Sequence, residues 1–210
     1  MKILLVAATE MEIAPFQRNQ QGIDILISGV GIPVTIYQLQ KKMQQTAYDL
    51  VIQAGIAGSF DPSLVNGETV FVGSDCFGDL GIFERQSFEP LFNTALANKN
   101  DFPFSEGWLV NPNEFPFLSS MKKVKGITVN TVSEDQHVCN NRRQIFQAAI
   151  ESMEGAALHY CCLMEKIPFL QIRGISNLVG ERDKTKWCFT EAIDNLHQKL
   201  HFIIAQIQNK

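Results

Sequence analysis

Short apolar runs alternate along this chain with longer segments in which apolar residues recur about every three or four positions. The short runs are typical of buried strands, and they lie at residues 2–8, 23–29, 49–55, 68–74, 126–132 and 167–176. The longer segments are typical of amphipathic helices, and they lie at residues 33–45, 142–150, 155–166 and 189–208. This alternation predicts an α/β fold of three layers (αβα), in which helices flank a mixed central β-sheet.

The alternation breaks at about residues 83–120, a stretch that is rich in Phe, Pro and Asn. We interpret this stretch as an elaborated excursion rather than as a second domain. A chain of 210 residues with 45% hydrophobic content is expected to form one domain, residues 1–210.

Composition and charge exclude several classes of partner. The formal net charge is −4 and no basic run extends beyond Lys122-Lys123, so no nucleic acid partner is expected. Glu10 and Glu12 interrupt the apolar amino terminus too early for a signal sequence or a membrane span, which predicts a cytoplasmic protein with no membrane partner. The five cysteines show no CxxC spacing, which indicates reduced thiols rather than disulfide bonds or a zinc site.

Two of the predicted strands lead into pairs of glycines. These pairs lie in "SGVGIP" (28–33) and "QAGIAGSF" (53–60). Ligands of α/β sheets bind at the carboxyl ends of strands, where glycine would let backbone N–H groups approach a ligand closely. Tight turns without a ligand explain each pair equally well, and neither stretch has the spacing of a dinucleotide fingerprint or a P-loop.

Two glutamates near strand ends are candidates for catalysis. Glu12 could simply complete a capping box with Thr9, although Pro15 argues against a regular helix there. Glu154 could be an exposed helical glutamate, although its small and apolar neighbours indicate a poorly solvated position. Spacing alone leaves both alternatives open.

Short motifs along the chain carry a family resemblance. In chain order they are "VAATEMEI", "SGVGIP", "QAGIAGSF", "SMEGAA" and "RGISN". Together they resemble the purine nucleoside phosphorylase and methylthioadenosine/adenosylhomocysteine nucleosidase superfamily over nearly the whole chain. The resemblance implies a nucleoside phosphorylase-like fold and a small purine nucleoside as the ligand. It also implies no cofactor, no metal, and a homodimer or larger homo-oligomer.

The resemblance also implies roles for the candidate residues. Glu12 would activate a water molecule as a catalytic residue. Met153 and Glu154 would hold the ribose. Asn177, in "RGISN", would contact the purine as the second catalytic residue.

Further substrate-binding residues follow from the same resemblance. Ile56 would border the purine through its backbone, and Trp187 would lie over the ring, although a core position explains Trp187 equally well. His137 and Val138 are similar in position to a second base-flanking segment. A hydrogen-bonded structural role is the simpler interpretation of a lone histidine.

Three longer segments narrow the resemblance within the superfamily. "VGSDCFGDLG", "ITVNTVS" and "GISNLVGERDKTKW" are most similar to the futalosine hydrolases, which release hypoxanthine and dehypoxanthine futalosine from futalosine in menaquinone biosynthesis. The alternative is a methylthioadenosine/adenosylhomocysteine nucleosidase, which releases adenine. The phenylalanines between 83 and 117 could border the benzoate of futalosine, but core packing is the expected use of most of them.

The residue type at position 177 favours hypoxanthine over adenine. The methylthioadenosine nucleosidases resemble one another in having Asp at this place, and a carboxylic acid matches the acceptor N7 and the donor amino group of adenine. Hypoxanthine offers two acceptors, N7 and the 6-oxo group, which the NH₂ group of an amide serves better. Asn177 is therefore predicted to select 6-oxopurines, although an asparagine at a turn needs no ligand.

The distribution of arginines favours hydrolysis over phosphorolysis. Phosphate beside the sugar is usually held by arginines, but none occurs between Arg18 and Arg85. Gln53 stands where the phosphorylases that this segment resembles carry an arginine. A phosphorylase and a non-catalytic nucleoside-binding protein remain as rival hypotheses.

Overall fold

Strands and helices alternate in the computed structural model, which describes residues 1–16, 22–85 and 87–208. Arg18, which the sequence analysis named, and one residue of the predicted excursion, Gln86, lie outside these ranges. The strands are β1 (Ile3–Ala7), β2 (Ile23–Ile27), β3 (Leu50–Ser59), β4 (Thr69–Asp75), β5 (Gly81–Glu84), β6 (Ser87–Pro90), β7 (Leu109–Val110), β8 (Lys123–Thr128), β9 (Ile150–Ser152) and β10 (Phe169–Leu178). The α-helices are α1 (Ile32–Gln45), α2 (Gln136–Phe146), α3 (Gly155–Glu165) and α4 (Phe189–Gln208).

Most strands join one mixed sheet with the order β10-β4-β8-β9-β3-β1-β2. β7 pairs with β4, and β10 also pairs with β3. Because β3 contacts both β9 and β10, the strands from β10 to β3 close into a small barrel from which β1 and β2 extend. The pairs β10–β4, β3–β9 and β4–β7 are antiparallel and the others parallel, which confirms the predicted mixed sheet.

Helices cover both faces of the sheet through separate apolar clusters. Alternate residues of β1 divide between the two faces, as the strand period requires. Leu5 packs with Leu196 and Leu200 of α4. On the opposite face, Leu4 packs with Leu39 of α1 and with residues of α3. This arrangement confirms the three-layer prediction and explains why the strands read as continuous apolar runs.

The helix predicted over 142–150 is wrong at both ends, because α2 begins at Gln136 and ends at Phe146. The Asp135 carboxylate accepts a hydrogen bond from the His137 N–H group (2.8 Å) and so starts the helix early. The last residue of the predicted helix, Ile150, belongs to β9, which pairs with β3 and β8. Tertiary strand pairing here overrides the local helical pattern.

The stretch predicted as an excursion, about residues 83–120, contains little regular structure. Half of β5 and all of β6 lie in it, and these two strands form an isolated hairpin, while β7 returns to the main sheet. Phe115 and Phe117 pack against the α4 cluster. Phe104 packs against Tyr160 of α3, with ring centroids 6.1 Å apart. These phenylalanines therefore contribute to packing.

Membrane, disulfide and metal features are absent from the described ranges. No helix there is both long and apolar enough to cross a bilayer. The five cysteines form no disulfide bond, and all except Cys188 are buried. No grouping of His, Cys, Asp and Glu among the described residues could hold a metal ion.

Asp75, at the end of β4, is a fully buried carboxylate beside the start of α3. It accepts hydrogen bonds from the Cys76 N–H group (2.8 Å), from Thr128 Oγ1 (2.9 Å) and from Gln171 Nε2 (3.2 Å). Thr128 Oγ1 in turn accepts a hydrogen bond from the Ala156 N–H group at 2.7 Å. Burial raises the pKa of Asp75 to about 6. The network ties three strands to the amino terminus of α3.

We expect Asp75→Asn to remove a pH dependence of stability. The pKa of the folded carboxyl is raised from 3.8 to about 6. Asp75 therefore contributes stability that is present below about pH 4 and is lost as the pH rises through about 6. The free energy of unfolding of the wild type relative to the variant should fall by roughly 3 kcal/mol between about pH 4 and about pH 7.

Urea denaturation across this pH range measures the difference. An amide at position 75 can be accommodated by a rotation of the Gln171 side-chain amide. Gln171 Oε1 has no hydrogen-bond partner among the described residues, and after the rotation it can accept a hydrogen bond from the new NH₂ group at position 75. Asp101→Asn, at an exposed position, is the matched control. A difference between wild type and Asp75→Asn that stays constant with pH would contradict the assignment.

Candidate active site

A cavity of about 340 Å³ opens at the carboxyl ends of β1, β3 and β10, beside the segment that joins β9 to α3. This is the edge at which α/β sheets bind ligands. Most of the residues predicted from the sequence line it: Glu12, Ile56, Met153, Glu154, Asn177 and Trp187.

Glu12 lies in a short 3₁₀ turn directly after β1 and is only 5% exposed. Its Oε2 atom accepts hydrogen bonds from the N–H group (2.9 Å) and the hydroxyl group (3.1 Å) of Thr9. Its Oε1 atom accepts a hydrogen bond from the Ile56 N–H group at 3.2 Å. From α4, His197 Nε2 donates to the Glu12 carbonyl oxygen at 2.7 Å. The capping role and the place in the cavity therefore coexist in one side chain.

Glu154 immediately precedes α3 and is also 5% exposed. Its Oε1 atom accepts a hydrogen bond from the Gly31 N–H group (3.1 Å), and its Oε2 atom lies 3.7 Å from Arg173 Nη1. Burial raises the pKa of Glu154, while Arg173 and the Gly31 N–H group oppose the rise. Gly31 has a φ of 101°, which favours glycine in this turn. One predicted glycine turn thus holds a buried carboxylate.

Arg173, on β10, is a site residue that the sequence interpretation did not assign. It is 1% exposed, and its Nη2 atom donates to Gln53 Oε1 at 2.8 Å. Its Nη1 atom faces Glu154. The sequence did carry a signal, because an arginine inside the apolar run "FLQIRGIS" requires a buried partner.

Gly55 makes room for this cluster of charges. It pairs with Arg173 between β3 and β10. A β-carbon at position 55 would collide with Arg173 Nη1 and would lie 2.8 Å from Glu12 Oε1. The second glycine motif therefore lets a buried cation and a buried carboxylate meet beside the strand.

Asn177 borders the cavity near the end of β10. The Ser176 hydroxyl group donates to Asn177 Oδ1 (2.7 Å), and Asn177 Nδ2 donates to the Leu178 carbonyl oxygen (2.7 Å). Since a carbonyl oxygen can only accept, Leu178 fixes the orientation of the amide. Within the described residues Nδ2 makes only this hydrogen bond, so its second N–H is left for a ligand.

Aromatic and apolar side chains form other parts of the lining. The Trp187 ring N–H donates to the Glu181 carbonyl oxygen at 3.0 Å, and the Arg182 guanidinium lies 5.8 Å from the centre of the Trp187 ring. Met153 lines the cavity next to Glu154 in sequence. Phe189, at the start of α4, also lines the cavity and was not predicted as a site residue.

His137 and Val138 are separated from the other predicted residues. They border a neighbouring cavity of about 270 Å³ instead. The cause is the early start of α2, which carries both residues into its first turn. Val132 and Ser133, in the preceding loop, line the main cavity in their place. This corrects the predicted base-flanking segment.

The phenylalanines of the predicted excursion do not reach the main cavity in this chain. Among the described residues of 83–117, none lines it. Phe92 and Phe104 border a separate cavity of about 480 Å³ together with Tyr160. The structure therefore does not place them beside a substituent of a ligand bound at Glu12.

Comparison with known sequences identifies the family. The profile of the phosphorylase superfamily matches residues 20–205. A futalosine hydrolase of Acidothermus cellulolyticus is 31% identical over 184 residues, covering 85% of this chain and 74% of that protein. A futalosine hydrolase of Thermus thermophilus is 27% identical over 220 residues, covering 97% of this chain and 95% of that protein.

Comparison with solved structures supports the fold. The 5′-methylthioadenosine/S-adenosylhomocysteine nucleosidase of Helicobacter pylori superposes with a TM-score of 0.82 at 15% identity, covering 98% of each chain. At this level of identity the match bears on the fold alone. The chain belongs to the phosphorylase superfamily, and it is a nucleoside N-glycosidase of that superfamily.

Proposed function

We propose that this chain hydrolyses the N-glycosidic bond of a 6-oxopurine nucleoside. The substrate is futalosine, and the products are hypoxanthine and dehypoxanthine futalosine, a step of menaquinone biosynthesis. Two relatives that align over most of the chain carry the name futalosine hydrolase. The observation that carries the proposal is one cavity that is lined by two buried glutamates, Glu12 and Glu154, and by an amide, Asn177.

The spacing of these groups suits a nucleoside. Glu12 lies beside Gly55. Glu154 faces Arg173, which pairs with Gly55. Asn177 instead pairs with Gly58 further along β3. Three residues of extended strand span roughly 10 Å. This length accommodates a ribose beside the carboxylates and a purine beside the amide.

Glu12 acts as the general base. It removes a proton from a water molecule while the water oxygen forms a bond to C1′ of the ribose. The C1′–N9 bond breaks, its electron pair leaves with the purine, and a proton from solvent neutralises the released base. The transition state has oxocarbenium character, so positive charge develops on the sugar.

Glu154 stabilises that developing charge. Its carboxylate accepts hydrogen bonds from the ribose hydroxyl groups, and its negative charge attracts the oxocarbenium more strongly than the neutral sugar. Arg173 favours the ionised form against the effect of burial. Met153 packs against the ribose.

Asn177 binds the leaving base. One N–H of its NH₂ group is held by the Leu178 carbonyl oxygen. The other N–H donates between N7 and the 6-oxo group, both of which are acceptors. Negative charge that reaches the 6-oxo oxygen as the bond breaks strengthens this hydrogen bond. An amide at this place therefore supports release of hypoxanthine.

Water is a better nucleophile here than phosphate. No arginine occurs between Arg18 and Arg85, and Gln53 supports Arg173 instead of an anion. Arg173 already faces Glu154. A phosphate dianion beside Glu12 and Glu154 would meet repulsion.

Release of adenine by a methylthioadenosine/adenosylhomocysteine nucleosidase is the second candidate, because a 27% identical relative from Colwellia psychrerythraea has that name. Incubation with futalosine, inosine, methylthioadenosine and adenosylhomocysteine, with and without phosphate, distinguishes the candidates by the base released. Hypoxanthine from futalosine without phosphate is the expected result. Adenine release alone, or a requirement for phosphate, would overturn the proposal. A cytoplasmic location and a homodimer or larger homo-oligomer stay predictions.

Glu12→Gln should lower kcat for futalosine by roughly 100-fold or more, because the amide cannot take the proton of the attacking water. Initial rates of hypoxanthine release measure the effect, and thermal unfolding checks that the variant is folded. Glu10→Gln, in the same turn but exposed, is the matched control and should keep the wild-type rate. Unchanged turnover in Glu12→Gln would remove Glu12 from the mechanism.

Asn177→Asp should shift preference from hypoxanthine toward adenine nucleosides. A carboxylic acid at this position can donate its one proton to N7 and accept from the 6-amino group of adenine through its other oxygen. The ratio of kcat/KM for futalosine to that for methylthioadenosine should fall by roughly 100-fold or more. Asn140→Asp, at an exposed position of α2, is the control. An unchanged ratio would contradict the role of Asn177.

A further inference from the structure

A second carboxylate–arginine pair borders the cavity and has no part in the mechanism above. Glu151, on β9, is 6% exposed and lines the same cavity as Asn177. Arg142 of α2 is 9% exposed and donates from Nη1 to Glu151 Oε2 at 2.9 Å. A buried ionic pair at a ligand cavity calls for a functional explanation as well as a structural one.

The strand register brings Glu151 close to Asn177. Gly58 of β3 pairs with Asn177 of β10 on one side and with Glu151 of β9 on the other. Residues paired directly across strands present their side chains on the same face of the sheet. A β-carbon at Gly58 would lie 3.6 Å from Asn177 Nδ2, so the amide stands next to a position without a side chain. Asn177 and Glu151 thus flank Gly58, and a methyl group of Val179 lies 3.0 Å from the position that a β-carbon there would take.

Hydrogen bonds fix which atom of Glu151 is left for a ligand. Oε2 accepts from Arg142, whose Nη2 atom also donates to the Thr131 carbonyl oxygen at 2.9 Å. Within the described residues, Oε1 accepts no hydrogen bond. Burial raises the pKa of Glu151, while Arg142 opposes the rise. Arg142 also holds the carboxylate in one orientation, which leaves Oε1 as an acceptor.

The edge of a 6-oxopurine complements these two side chains. Hypoxanthine presents in succession the acceptor N7, the acceptor 6-oxo oxygen and the donor N1–H. Adenine presents the acceptor N7, a donor amino group and the acceptor N1. An amide donor followed by a carboxylate acceptor matches N7, the 6-oxo group and N1–H of hypoxanthine. The same order opposes the amino group and N1 of adenine.

We propose that Glu151 is a specificity-determining residue that accepts a hydrogen bond from N1–H of the 6-oxopurine while Asn177 donates to N7 and the 6-oxo group. The inference rests on the proposed function, since it concerns the base bound at that site. A buried acceptor that meets another acceptor rejects the wrong ligand strongly. Glu151 therefore excludes adenine through N1.

Glu151→Gln reverses the polarity at this place. Arg142 can only donate, so it keeps the amide oxygen of the glutamine, and the NH₂ group turns toward the base. A donor then faces N1, which suits adenine and opposes hypoxanthine. Titration calorimetry of hypoxanthine and of adenine with the wild type and with Glu151→Gln measures the effect.

The ratio of the Kd for adenine to the Kd for hypoxanthine should fall by roughly 10-fold or more in Glu151→Gln. Glu134→Gln, at an exposed position in the loop before α2, is the control and should leave the ratio unchanged. A parallel loss of affinity for both bases would indicate a purely structural pair and would overturn the inference. If Glu151→Gln does not fold, the wild type alone decides, because 1-methylhypoxanthine should bind roughly 10-fold or more weakly than hypoxanthine. Equal binding would overturn the inference.

Base binding also separates this inference from the proposed function. If the wild type releases hypoxanthine from futalosine but the binding ratio is unchanged in Glu151→Gln, only the role of Glu151 fails. If the wild type binds neither base and cleaves no nucleoside, both proposals fail together.

Discussion

A guanidinium buried in the middle of the sheet is the constraint on which the site depends. An isolated buried cation is costly, so Arg173 requires polar partners within reach. Gln53 and Glu154 supply them, and Gly55 leaves the space in which they meet. The same cation counters the rise that burial causes in the pKa of Glu154. The place of the site carboxylates thus follows from the need to neutralise one charge on β10.

Two glycines of β3, Gly55 and Gly58, lie beside different residues that line the cavity. Gly55 admits the charged side chains of Arg173 and Glu12, and Gly58 lies between Asn177 and Glu151, where it admits the Val179 side chain. A residue with a side chain at either glycine would fill space that the neighbouring strands use. The proposed division of the cavity into a sugar region and a base region has its physical origin in these two gaps along one strand.

Local pattern predicted most of the elements, and its failures have identifiable causes. The apolar runs of β1, β3 and β10 are buried on both faces and were recognisable without a partner. The elements between residues 129 and 152 were not predicted correctly from the local pattern. The Asp135 cap starts α2 early, and strand pairing places the end of the predicted helix in β9. This shift moved His137 and Val138 out of the cavity and brought Val132 and Glu151 into its lining.

The sequence by itself determined the fold class, the family and the residue types of the main candidates, because apolar period and short motifs are properties of neighbouring residues. It could not show that Glu12 both caps its turn and lines the cavity, or that Arg173 joins it. It also could not show that Asn177 and Glu151 flank one glycine. Those juxtapositions connect residues far apart in the chain. Only strand register and the space left by missing side chains decide which distant groups meet.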